Sequence, residues 1–253
     1  HMYYFKYKVV ETGQELVIAT TRPETMFADQ AIFVHPDDER YKDIVGMHAI
    51  NPANGDKLPI MADDYIDMSF GTAVMKCTPA HDPNDFEVAG RTGLEILNVF
   101  TPDAKINEIG GKYAGLDRFE ARKVILKDLE DLGLLGKIKE HNHAVGECYR
   151  CDTVVEPRVS KQWFVKKEIA DGAITKVNEH LAQFYPSHWI NSYNAWMKEL
   201  RDWCISRQLW WGHQIPAWYN ADGEMYVGET APEGDGWTQD SDVLDTWFSS
   251  ALW

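Results

Sequence analysis

Apolar and polar side chains alternate where the chain opens. Phe5, Tyr7 and Val9 take one side and Lys6 and Lys8 the other, the period-two pattern of a half-buried strand. Glu11-Thr12-Gly13-Gln14 carries turn residues, and Leu16 to Thr20 returns as a second strand, so a hairpin is expected first. Beyond it, Pro23 holds Arg22 out of the α region, which predicts a bend rather than a helix start. Ala31 to His35 reads as a short strand closed by Pro36-Asp37-Asp38, and residues 51–56 as a loop. Phe70 to Cys77 and Leu94 to Phe100 read as further strands. Short strands joined by compact polar turns predict a small barrel.

The helical period takes over at Asp117. Asp117 and Glu120 form a D-x-x-E start, Ile125, Leu129 and Leu132 share one face, and Gly133 is a stop. Tyr193, Trp196, Met197, Leu200 and Trp203 repeat at three and four, an amphipathic helix whose default explanation is core packing. All ten tryptophans lie after residue 160, so composition shifts along the chain. The expected class is α+β: a mostly β, barrel-like domain over residues 3–140, then a ribbon-like, helical and Trp-rich region over 141–253.

Composition narrows the function class. Hydrophobic residues make up 44% and charged residues 26% of 253, ordinary for a soluble globular chain. No apolar run is long enough to span a membrane and no signal peptide is visible, so a cytoplasmic setting without a membrane partner is expected. His1-Met2 reads as a cloning remnant and the apolar end carries no stop signal, so the chain is expected to be an excised piece. The net charge of −15 argues against non-specific nucleic-acid binding over the whole surface. It is uneven, however: Lys137 to Lys167 holds seven Lys/Arg against four Asp/Glu, and Asp222 to Asp245 holds eight acids and no base. A basic strip of that kind is a solvated face or a phosphate-backbone contact. Four cysteines with one close pair fit a reducing compartment rather than a disulfide framework.

Candidate chemistry concentrates in two turns. Lys76, Thr78, His81, Asp82 and Asp85 fall within ten residues, where an apolar strand breaks at Thr78-Pro79. Asp82-Pro83-Asn84-Asp85 has a plain structural explanation as a helix start: an Asp cap, Pro in the first turn, and an acid favoured by the dipole. The functional alternative is an acid that holds an ammonium group while its neighbours orient water. The second turn, Thr20-Thr21-Arg22-Pro23-Glu24-Thr25, reads as strand residues with surface charges or as hydroxyls and charge lining a polar pocket. Cys148 and Cys151 have zinc-ligand spacing, but a structural zinc needs two more ligands, no second CxxC exists, and His141 with His143 gives an unusual spacing; no metal is expected. Ile205 to Pro216 is dense in Trp, Gly and His, and its composition does not decide a role.

Five stretches together carry a specific likeness: ATTRPETMFADQAIFVHPDDERY (19–41), KCTPAHDPNDFEV (76–88), VEPRVSKQWFV (155–165), WCISRQLWWGHQIPAWY (203–219) and DVLDTWFSSALW (242–253). In order and wording they resemble the class I valyl-tRNA synthetases, over the large editing insertion of the catalytic domain. The likeness runs almost end to end, and AHDPNDFE and WWGHQIP favour the valyl branch over the isoleucyl and leucyl branches.

The resemblance implies a β-barrel-like module that hydrolyses mischarged threonyl-tRNA, with its pocket in the two turns above. Arg22, Thr25, Lys76, Thr78, Asp82 and Asp85 match the family's pocket by position and, with Thr20, Thr21 and Glu24 of the same turn, are expected to bind substrate, Asp85 holding its α-amino group. Asp82, Asp85 and His81 are the expected catalytic groups. The implied partners are the acceptor end of tRNA(Val) carrying threonine and the remainder of the synthetase chain. No cofactor is implied for editing; ATP and Mg serve a synthetic site outside these stretches. Alternatives are a tRNA-positioning module without hydrolytic power of its own and an isoleucyl-type editing domain. The sequence departs from the family pattern at Ala73, where a glycine is common, and at Asn220-Ala221-Asp222-Gly223, where some relatives carry the second CxxC of a zinc site; Cys148 and Cys151 then read as a remnant.

Overall fold

A computed structural model describes all of residues 1–253, which divide into two compact units, His1–Val159 and Ser160–Trp253. The division falls nineteen residues after the compositional one at 140/141, because residues 154–157 bond to side chains of the first unit. No helix is long and apolar enough to cross a membrane.

The first unit is built on a seven-stranded sheet. Strands β1 (Met2–Val9) and β2 (Glu15–Thr20) form the expected hairpin, with Tyr3 opposite Thr20 and Lys8 opposite Glu15. Phe5, Tyr7 and Val9 are all fully buried, as their alternation predicts. The order continues through β4 (His48–Ile50), β5 (Lys57–Ala62), β3 (Ala31–Val34) and β6 (Val74–Cys77), and β7 (Leu135–Lys139) pairs with the start of β1. The ends of this order, β2 and β6, lie beside each other, so the sheet is nearly a closed barrel. Both strands run at that seam into the two polar turns.

β3 is buried on both faces, so it shows an unbroken apolar run instead of alternation. Ile32 and Val34 join the main core; Ala31 and Phe33 join a smaller one with Ile66, Cys77 and Val88. Val88 belongs to α1 (Pro83–Thr92), which Asp82 caps by accepting from the Asn84 and Asp85 amides. α2 (Arg118–Asp131) starts at the Asp117 cap and buries Arg118, Ala121, Ile125 and Leu129; Leu132 lies beyond its end and is exposed.

Other expectations are corrected. Arg22 does sit outside the α region, at φ −130° and ψ 72°, but a six-residue 3-10 helix, Pro23–Ala28, follows at once. Proline's fixed φ suits a first helical position, so the same residue that bars Arg22 from the helix starts it. Leu94 to Phe100 makes one bridge, Phe100 to Ile106, instead of a strand. Phe70 to Ala73 is turn, and only Val74–Cys77 pairs.

The second unit contains three small sheets. They pair β8 (Phe164–Val165) with β9 (Trp203–Cys204), β10 (Ser206–Arg207) with β14 (Val243–Leu244), and β11 (Ala217–Tyr219) with both β12 (Met225–Val227) and β13 (Thr238–Gln239). Helices α3 (Asp171–Asn178), α4 (Trp189–Lys198) and α5 (Thr246–Ala251) complete it. Core packing does not explain the tryptophan stripe: α4 buries no residue, Trp196 is exposed, and Trp203 lies in a strand.

Candidate active site

The two polar turns wall one cavity of about 490 Å³ at the seam of the sheet. Thr20, Thr21, Arg22 and Thr25 line it from one side, and Lys76, Thr78, His81, Asp82 and Asp85 from the other. Arg22 joins the walls directly, its Nη1 donating to the His81 carbonyl at 2.9 Å. Tyr65 and Phe70, both exposed aromatics, stand on the rim.

The floor is organised by Asp29, which the sequence reading did not single out. Its side chain is fully buried, and Lys76 Nζ reaches Oδ1 at 2.8 Å. Thr78 Oγ1 donates to the same oxygen at 2.7 Å, and Tyr7 OH donates to Oδ2 at 3.0 Å. Lys76 also donates to the Thr78 hydroxyl and reaches Thr25 Oγ1 at 3.4 Å. Burial pushes the Asp29 carboxyl above the usual carboxylate range, against the pull of Lys76 and the hydrogen bonds from Lys76, Thr78 and Tyr7. An unpaired charge could not persist at this depth, so the ion pair and hydroxyls form one unit.

Asp82 and Asp85 divide the work of the helix start. Asp82 is exposed at the cavity edge, and its Oδ1 takes the Asn84 amide at 2.8 Å and the Asp85 amide at 3.4 Å. Its other oxygen takes no hydrogen bond from the chain. Asp85 is 8% exposed and accepts the Thr78 amide on Oδ2 at 2.7 Å. No buried side-chain polar atom lacks a partner, so Asp85 Oδ1, which accepts no bond within the chain, faces the cavity. Burial raises the Asp85 carboxyl to about 6, opposed by Lys76 and by the Thr78 amide. A buried carboxylate with one free oxygen is a natural partner for an ammonium group.

His81 does not fit the catalytic role expected of it. Its Nε2 accepts the Val99 amide at 3.0 Å, and its Nδ1 lies 3.3 Å from the Pro157 carbonyl, to which it donates. Burial lowers its pKa to about 4, so the ring is neutral near pH 7 and both nitrogens are occupied. Edge-on packing against Phe100, with ring centroids 4.8 Å apart, completes its cage. Glu24 also points away from the expected task. It is buried off the cavity wall and gripped by Arg122 of α2 through two bonds of 2.8 and 2.6 Å. Tyr7 and Asp29 are thus residues of the site's floor that the sequence reading missed. Asp29 stood within the quoted 19–41 stretch, but its partners lie 22, 47 and 49 residues away in the chain.

No serine or cysteine nucleophile lines the cavity. Cys77 sits behind it, and burial pushes its thiol far above the range of a reactive cysteine. Cys148 and Cys151 offer two thiols, and no third His, Cys, Asp or Glu joins them, so this donor set does not fit a structural zinc. His141 and His143 stack on each other, 5.3 Å between ring centroids.

The family model described as tRNA synthetases class I (I, L, M and V) matches residues 6–236. A valine–tRNA ligase of Wolinella succinogenes is 52% identical over 258 residues, taking in 100% of this chain and 29% of that protein. A valine–tRNA ligase of Lactococcus lactis subsp. lactis is 56% identical over 253 residues, or 99% of this chain and 29% of its own length. The chain therefore spans under a third of the curated relatives it matches. A solved ternary complex, Agrobacterium radiobacter K84 agnB2 LeuRS-tRNA-LeuAMS, overlaps 99% of this chain and 30% of its own at 14% identity with a TM-score of 0.42, too loose a likeness to argue from.

Proposed function

The chain belongs to the class I tRNA synthetases (I, L, M and V), and from that premise we propose that it is the editing region of a valine–tRNA ligase. On this reading it hydrolyses the ester between threonine and the acceptor end of tRNA(Val). The observation that carries the reading is the meeting of two turns some fifty residues apart in one polar cavity with a buried, half-free carboxylate.

The chemistry follows from the groups in place. Threonine and valine have nearly the same shape, so an apolar synthetic pocket rejects the hydroxyl weakly, and this synthetase is itself a standard illustration of that limit. A polar pocket reverses the preference. Arg22 keeps N–H groups free for the cavity, and the Thr25 and Thr78 hydroxyls, which donate within the chain, can still accept a hydrogen bond. The side-chain hydroxyl of threonine can bond to these groups, whereas valine offers them nothing and would displace their water at about 1–3 kcal/mol for a donor left unpaired. Asp85 Oδ1 holds the α-ammonium. Asp82, with one carboxylate oxygen free at the cavity edge, orients the attacking water. Water adds to the ester carbonyl, the carbonyl–oxygen bond to the ribose breaks, and the leaving hydroxyl takes up the proton. No covalent intermediate with the chain is required, since no serine or cysteine lines the cavity and water can attack the ester directly.

The test is Asp85→Ala in the full-length ligase. Threonyl-tRNA deacylation should be lost while valine activation continues at its normal rate, and a valyl ester should be a poor substrate for the unmodified enzyme. Deacylation at the unmodified rate in the variant would overturn the assignment. Salt-sensitive tRNA binding without deacylation in the unmodified enzyme would favour a positioning module.

A further inference from the structure

The two turns do not hold Arg22 by themselves. A third segment, residues 154–157, passes beside the cavity and supplies the missing anion. Glu156 is 14% exposed and lies 134 residues after Arg22 in the chain. Its Oε1 accepts from Arg22 Nη2 in a close ion pair, and its Oε2 accepts from Arg118 Nη1 at 2.9 Å. Arg118 is pinned in turn, with Nη2 donating to the Val154 carbonyl at 2.6 Å. The Glu156 carboxylate is therefore held on Oε2 by Arg118, which leaves Oε1 to meet Arg22.

Arg22 has few other restraints. Its Nη1 donates to the His81 carbonyl, and its Nε stands 3.6 Å from Glu24, beyond hydrogen-bond reach. Glu24 is already engaged by Arg122. Glu156 is thus the one carboxylate that hydrogen-bonds the Arg22 guanidinium. A guanidinium has more donors than these contacts use, so an anchored Arg22 still offers N–H groups to the cavity. A planar, bidentate-capable group must be oriented before it can discriminate, because its donors lie in a fixed fork.

We infer that Glu156 is a positioning residue for the proposed deacylation: it fixes the Arg22 guanidinium from outside the two turns so that its free N–H groups face the substrate. The inference rests on the editing assignment and adds a residue to it. Glu156 does not touch substrate. Its bond to Arg118 holds it in place, and its effect on the reaction passes through Arg22, which separates it from a residue that merely holds the fold.

That separation is measurable in the full-length ligase with threonyl-tRNA. Glu156→Gln keeps the shape of the side chain and removes its charge; Glu156→Ala removes both. The expected loss in deacylation kcat/KM is about tenfold for Glu156→Gln and larger for Glu156→Ala, with valine activation unchanged. The decisive comparison is in the Arg22→Ala background, where Glu156→Gln should cost nothing further, since the residue it positions is gone. Glu156→Asp, which keeps the charge on a shorter arm, should recover part of the rate. Unchanged deacylation in Glu156→Gln would overturn the inference, as would an equal loss with and without Arg22. Should the unmodified ligase fail to deacylate threonyl-tRNA, the editing assignment itself would fall, which is a different outcome from either.

Discussion

The two walls of the cavity are held in opposite ways. The wall from Lys76 to Asp85 is largely self-supporting: Asp82 caps the helix that follows it, and Asp85 takes the Thr78 amide seven residues back. The wall from Thr20 to Thr25 has three short-range bonds of its own: Arg22 N–H to Thr20 Oγ1, and both the amide and the Oγ1 of Thr25 to the Arg22 carbonyl. Its charged groups are fixed from a distance, Glu24 by Arg122 and Arg22 by Glu156. The difference shows where precision comes from in each wall. One turn is rigid by local geometry, and the other is aimed by charges carried on α2 and on residues 154–157. Asp29, just past the first turn, receives Lys76 and Thr78 of the second, so it is the post that both walls share.

Removing that post should have the largest effect. Asp29→Ala leaves Lys76 as a buried cation without its carboxylate, and breaking such a pair costs about 3–5 kcal/mol. Denaturant unfolding should show the loss, and a Lys76→Met change on top of Asp29→Ala should recover part of it. Equal stability of Asp29→Ala and the unmodified chain would mean that the walls do not depend on a common support.

The second test uses pH, because the same wall carries two shifts of opposite sign. Asp85 is raised to about 6, so its protonated form is favoured by the fold. Its contribution to stability is fully present below the ordinary carboxylate range and is lost as pH rises through about 6. His81 is lowered to about 4, so its contribution is present above its ordinary value and is lost as pH falls through about 4. The two largely offset each other between about 4 and 6, so together they should add little slope to stability there. Deacylation should not be flat: it should fall about tenfold per unit as Asp85 protonates below about 6. Asp85→Asn should abolish deacylation without loss of stability at pH 7, since it removes a carboxylate ionised at a cost on the order of 2–3 kcal/mol.

Smaller effects sharpen the contrast. Asp82→Ala should cost about 1 kcal/mol through the lost cap. If Asp82 also orients water, the rate at full folding should fall further than that cost explains. Ala73, at φ +58° on the cavity wall, adopts a conformation that strains a side chain. Ala73→Gly should therefore stabilise by up to about 1 kcal/mol, read as a small rise in Tm.

The same contrast explains what the sequence disclosed. The hairpin, the Asp82 cap and the Asp117 cap are local devices, and each was legible from a few adjacent residues. β4 is three residues long and β5 contains Pro59, so neither shows a strand pattern strong enough to read. Leu94 to Phe100 has strand-like composition, but Val99 gives its amide to the His81 ring rather than to a ladder. Within the site, the local frame of the wall from Lys76 to Asp85 was legible, including the Asp82 cap at the cavity edge. Glu24 and His81 stand in the two turns, but the partners that engage them, Arg122, Val99 and Pro157, are remote in sequence and could not be read from it. Asp29 was unreadable for the same reason: a lone acid between Ala28 and Gln30 gives no pattern until β6 and Tyr7 fold over it.

The most direct test of the central claim is the structure of the full-length ligase with a non-hydrolysable threonyl-adenosine analogue. The account predicts the ammonium on Asp85 Oδ1, the threonine hydroxyl among Arg22, Thr25, Lys76 and Thr78, and Arg22 still bound to Glu156. An analogue seated elsewhere, or seated here with its ammonium away from Asp85, would contradict it.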